Sequence, residues 1–110
     1  MMSEPPQNVL VIDDHPLFRK GVLQLLGSVP VFHLVGEASN GAEGIEMATR
    51  LVPDLILLDL NMKDMSGIDV LKAVKSADIE SRVIMLTVSD HEEDLLAALR
   101  AGADGYLLKD

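Results

Sequence analysis

Leu55-Ile56-Leu57-Leu58-Asp59-Leu60 (residues 55–60) is an aliphatic run broken by one carboxylate. Consecutive aliphatic residues without polar alternation describe a strand buried on both faces, as in parallel sheets. The same texture returns at Val9-Leu10-Val11-Ile12 and Val83-Ile84-Met85-Leu86, with weaker versions at Phe32 to Ala38 and Gly105 to Leu108. Helical spacing of apolar residues fills the gaps: Leu17, Val22, Leu25 and Leu26; Ala42, Ile45, Met47 and Ala48; Ile68, Leu71 and Val74; Leu95, Leu96 and Leu99. Pro16 suits a first helical position, Asn40 with Glu43 and Asp90 with Glu93 resemble capping boxes, Ser66 can cap the third helix, and Gly102 fits a stop. Strand and helix alternate, which implies right-handed crossovers and an α/β, doubly wound parallel sheet of five strands in the order 2-1-3-4-5, with no helix after the last.

The chain has 110 residues, of which 48% are hydrophobic, enough for one core and one domain. Residues 1–7 read as a disordered lead-in and 8–110 as the folded unit. With 9 basic and 18 acidic residues the net charge is −9, so the segment repels nucleic-acid backbones. The absence of cysteine excludes disulfides, thiolate zinc sites and Cys nucleophiles, and agrees with a cytoplasmic setting. No apolar run approaches membrane length, so no membrane partner is expected.

Open α/β sheets carry their sites beyond the carboxyl ends of the strands, where the winding reverses. Asp13 and Asp14 follow the first run, Asp59 the third, Thr87 the fourth and Lys109 the fifth. Three clustered carboxylates repel one another unless a cation is present. Oxygen ligands alone point to a hard, partly hydrated ion, Mg²⁺. A carboxylate can attack phosphorus to give an acyl phosphate, and the ion, Lys109 and Thr87 would then receive the phosphoryl oxygens.

Each residue has a plainer reading. Asp13 or Asp14 could cap the helix at Pro16, Thr87 could belong to a turn, and Lys109 could be a solvated lysine. Asp59 could be a loop residue, but Leu58 and Leu60 flank it, and an unpartnered charge in an apolar stretch is costly. The shared location at successive strand ends favours the chemical reading for all of them. His15, His33 and His91 lack metal-ligand spacing and are read as structural, as are Met62, Met65 and Met85. The acidic His91-Glu92-Glu93-Asp94 run is read as the complement of a helix N-terminus.

Val11-Ile12-Asp13-Asp14-His15-Pro16, Asp54 to Met62, Met65-Ser66-Gly67, Leu86-Thr87 and Gly105-Tyr106-Leu107-Leu108-Lys109 together resemble the receiver domains of bacterial two-component response regulators. Asp-Asp-His-Pro, Gly36-Glu37-Ala38 and Ala101 to Tyr106 are similar to the subgroup with a LuxR/FixJ-type helix-turn-helix output; Leu60-Asn61-Met62 and Ser89 to Asp94 are similar to nitrate/nitrite regulators of the NarL kind. The resemblance implies a switch with self-phosphorylation and self-dephosphorylation chemistry only, in which a sensor histidine kinase phosphorylates Asp59. It implies Mg²⁺ held by Asp14, Asp59 and the backbone carbonyl of Asn61, with Asp13 assisting through water. Thr87 and Tyr106 become the switch pair, and Lys109 the partner of the phosphate. It further implies transcription regulation, with DNA contacted only through an output domain, and a homodimer on phosphorylation. Two departures stand out: Lys63 occupies a position where many receivers carry proline, and the family's fifth helix and output domain are not in this sequence, so a fragment of a longer regulator is expected.

Two rivals share parts of the pattern. Mg²⁺-dependent phosphohydrolases also place an aspartate after a strand, but require a second aspartate two residues on, where this chain has Asn61. A flavodoxin-like nucleotide binder needs a Ser/Thr/Gly-rich first loop, and Asp13-Asp14 would repel phosphate there.

Overall fold

The computed structural model describes residues 5–88 and 91–109. Along them run β1 (Gln7–Ile12), α1 (Pro16–Gly27), β2 (Phe32–Ala38), α2 (Gly41–Leu51), β3 (Leu55–Asp59), α3 (Gly67–Ser76), β4 (Arg82–Thr87), α4 (Glu92–Arg100) and β5 (Gly105–Leu108). The strands form one sheet in the order β2-β1-β3-β4-β5, parallel throughout, as the aliphatic runs require. β1 opens at Gln7, paired with Phe32, one residue before the expected boundary at Asn8. The rest of the expected lead-in, before Pro5, lies outside the described residues.

Period-two alternation sorts the strand residues between two layers. Leu10, Ile12, Ile56, Leu58, Val83 and Met85 pack with Ala48 of α2, Val70, Leu71 and Val74 of α3, and Ala98 of α4. Val9 and Val11 face the other way, onto Leu26, Val22 and Leu23 of α1. Met62 and Met85 are buried and Met65 packs against the same core, the structural role expected of them. At the far edge, Leu107 and Leu108 of β5 remain about half exposed. No helix among the described residues is long and apolar enough to cross a membrane.

Local signals set the helix ends. Pro16 occupies the first turn of α1. Asn40 accepts from the Glu43 amide at 2.8 Å, while the Glu43 carboxylate reaches back to the Ser39 amide at 3.0 Å. Ser66 accepts from Ile68 at the start of α3. α4 ends in a Schellman arrangement: Ala103 N–H donates to Ala98 O, Gly102 N–H to Leu99 O, and Gly102 takes the required positive φ of 105°. Asp90, expected to cap α4, lies outside the described residues, and the cap position falls on His91, which makes no side-chain cap bond. Gly67 has a steric reason of its own: a Cβ there would collide with the backbone carbonyl of Asp59. Its absence lets α3 start against the end of β3, with Gly67 N–H donating to Leu60 O at 2.8 Å.

Candidate functional site

The sheet ladder continues one residue beyond several strands. Asp13 N–H donates to Ala38 O, Leu60 N–H to Leu86 O and Lys109 N–H to Thr87 O, at 3.0, 2.8 and 2.8 Å. These bonds fix the backbone just where the strands stop, so side chains from distant parts of the sequence meet at one edge.

Asp13, Asp59 and Thr87 are all buried there. Lys109 Nζ stands 2.7 Å from Asp13 Oδ2 and 3.2 Å from Asp59 Oδ1, with only 4% of its side chain exposed. The Phe18 ring lies beneath this ammonium, its centroid 4.4 Å away, a cation–π contact. Asn61 N–H donates to Asp59 Oδ1 and Asn61 Nδ2 to Thr87 Oγ1, each at 3.2 Å. Asp14 Oδ2 accepts from the Lys63 amide at 2.8 Å, which ties the loop after β3 to the loop after β1. Neither aspartate caps α1; its cap residue is His15, whose amide donates to Asp13 Oδ1. A cavity of about 270 Å³ opens onto the cluster, lined by His15, Phe18, Asp59, Asn61, Val88 and Lys109.

Of the residues singled out in the sequence, Asp13, Asp14, Asp59, Asn61, Thr87 and Lys109 are therefore brought together. Tyr106 is not among them: it sits half-buried on β5 beside Met85 in register, packed on the core. Two residues escaped the sequence reading. By spacing His15 reads as structural, yet its Nδ1 is within 3.3 Å of oxygens of Asp13, Asp14 and Asp59. Phe18 carries no signal except its place in the first turn of the helix after the aspartates.

One ammonium faces three carboxylates, so the cluster holds an excess of negative charge. Burial, and next the charge of Asp13, push the Asp59 carboxyl above its ordinary range, and Lys109 and the Asn61 amide only partly oppose this. Asp13 Oδ2 and Asp59 Oδ2 are buried without a hydrogen bond of acceptable geometry, although Lys109 and His15 stand close to them. Asp13, Asp14, His15 and Asp59 offer ligand atoms that all lie within 4.8 Å of one another. Unsatisfied anionic oxygen at a half-open edge is what a divalent cation would satisfy, so the residues fit such an ion.

The profile of the response regulator receiver domain matches residues 9–110. The chain belongs to that family. It is 52% identical over 110 residues to the nitrate/nitrite response regulator protein NarL of Escherichia coli strain K12, covering 100% of this chain and 51% of that protein. A solved receiver domain of the putative response regulator NarL from Mycobacterium tuberculosis superposes with a TM-score of 0.94 at 40% identity, over 97% of this chain and 86% of that one. The CheX-CheY-BeF3-Mg complex from Borrelia burgdorferi matches with a TM-score of 0.90 at 29% identity, over 96% of this chain and 80% of that one. The receiver spans about half the length of the curated relatives it matches.

Proposed function

We propose that this receiver is the phosphoacceptor module of a two-component transcription regulator of the nitrate/nitrite type, with Asp59 accepting a phosphoryl group from a sensor histidine kinase. The observation that carries the reading is the buried Asp59 carboxylate at the end of β3, with Oδ2 lacking a hydrogen bond and Lys109 beside Oδ1. A carboxylate oxygen of Asp59 forms the new bond to phosphorus while the bond from phosphorus to the donor histidine nitrogen breaks; that electron pair stays with the imidazole, which is then protonated from solvent. Lys109 balances charge on the incoming group, and Thr87, now bonded to Asn61, is placed to turn its hydroxyl toward it.

Asp14, Asp59 and the backbone carbonyl of Asn61 would hold Mg²⁺, with Asp13 through water. When bound, the ion supplies neutralisation of the carboxylates and phosphoryl oxygens. The similarity to a receiver solved with BeF3 and Mg supports this choice of ion. The Lys63 amide bond to Asp14 sets that carboxylate's orientation without a proline in the loop. Tyr106, on the strand next to Thr87, would report the event at the α4 and β5 face, and the protein works as a switch in the cytoplasm rather than as a turnover enzyme. DNA contact and dimerisation on phosphorylation belong to a longer regulator of which this is the receiver.

The test is labelling by acetyl phosphate, or by a histidine kinase, with Mg²⁺. Wild-type protein should gain one acid-stable, base-labile phosphate and Asp59→Asn none. Undiminished labelling of that variant would remove Asp59 from the role.

A further inference from the structure

His15 takes no part in the transfer described above, yet its ring stands among the carboxylates. Nδ1 lies 3.1 Å from Asp13 Oδ1, 3.3 Å from Asp14 Oδ1 and 3.2 Å from Asp59 Oδ2, one oxygen from each aspartate. Adjacent ligands of an octahedral ion with bonds of about 2.1 Å stand about 3.0 Å apart. Nδ1 therefore stands from the Asp14 and Asp59 oxygens, which would hold the ion, at the separation of ligands sharing it. A second observation points the same way: Asp59 Oδ2, which faces His15, is buried and accepts no hydrogen bond. A third concerns the ring itself. Lys109 Nζ, which can only donate, is 3.2 Å from the same Nδ1, so in the tautomer with its proton on Nε2 the ring turns a lone pair toward the ammonium. In that tautomer the lone pair also faces three carboxylate oxygens, an arrangement that a cation among them relieves.

We propose that His15 Nδ1 is a further protein ligand of this site, so that the pocket binds borderline transition ions such as Co²⁺ in preference to Mg²⁺. The inference rests on the cation site proposed above and specifies its selectivity. Imidazole nitrogen is a good donor to Co²⁺, Ni²⁺ and Zn²⁺ and a poor one to Mg²⁺, which retains water in that position. The side chain is 58% exposed, which leaves the ring room to settle onto an ion entering from the cavity. Replacing it removes no helix cap, because His15 makes no side-chain cap bond.

The experiment compares the wild-type protein with His15→Gln, with Co²⁺ and Mg²⁺ as probes. Co²⁺-loaded wild-type protein should show a hyperfine-shifted, exchangeable imidazole N–H proton resonance that excess Mg²⁺ removes and that His15→Gln lacks. The same substitution should weaken Co²⁺ by about tenfold or more and Mg²⁺ by less than about threefold. A missing resonance in the wild type, its persistence in His15→Gln, or an equal loss of both ions would overturn the assignment of His15. Those results leave the cation site standing if Mg²⁺ still binds the wild type. Failure of the wild type to bind either ion would instead overturn the cation site and the His15 assignment together.

Discussion

The burial of Asp59 costs stability. Its carboxyl lies above the ordinary value of 3.8, chiefly through burial and then through Asp13. As pH rises the unfolded chain loses this proton first, so the folded state binds more protons between the two values and stability falls across that interval. The penalty is absent below the unfolded value and complete above the folded one. Asp59→Asn should therefore raise the Tm of the metal-free protein at pH 7. A gain on the order of 1 kcal/mol corresponds to roughly 4–8 °C in a small domain. The gain should shrink toward zero as the pH of the melt approaches 3.8. A gain that stayed constant down to that pH would assign the effect to packing rather than charge. The sequence exposed this aspartate because a charge interrupts an aliphatic run. It hid His15, because a strand-to-helix turn folds residues two apart around one point, and spacing rules drawn from helices miss that geometry.

Among the elements, α2 shows what a chain read by local spacing cannot supply. Its Asn40 cap was legible because donor and acceptor are three residues apart. Its other cap comes from Asp64 in the loop after β3, whose carboxylate accepts from Gly41 at 2.9 Å and Ala42 at 3.1 Å. That partner is 23 residues away, and only the fold brings it there. The Gly41 bond, more than any other contact, draws the Asp64 carboxyl below its ordinary value. A depressed folded value means that the bonded carboxylate stabilises the fold above the unfolded pKa, and that this is lost as pH falls through the folded one. Asp64→Ala should speed amide hydrogen exchange at Gly41 and Ala42 at neutral pH and lower the Tm there. The difference from wild type should vanish in acid, below the depressed value. Unchanged exchange at those two amides would show that water replaces the carboxylate without loss.

At the scale of the molecule, strand order and crossovers were legible, because uninterrupted aliphatic runs separated by helical patterns leave few topologies. The clustering of Asp13, Asp14, Asp59, Thr87 and Lys109 followed from that topology alone, since each ends or follows a strand. What did not follow was how the cluster is partnered: Phe18 under Lys109 and the Lys63 amide on Asp14 depend on loop and helix placement. The four residues of β5 carry a last consequence. They end the sheet, and Leu107 and Leu108 present half their surface to water. An apolar strand edge is a template on which a second chain can add a strand. Concentrated solutions of the 110-residue chain should therefore self-associate reversibly, with the weight-average mass in sedimentation rising with concentration. Leu107→Lys should flatten that rise, and an identical curve for the variant would place the contact elsewhere. How concentrated this chain can be made is thus decided at the rim of its sheet, away from the carboxylates that give it chemistry.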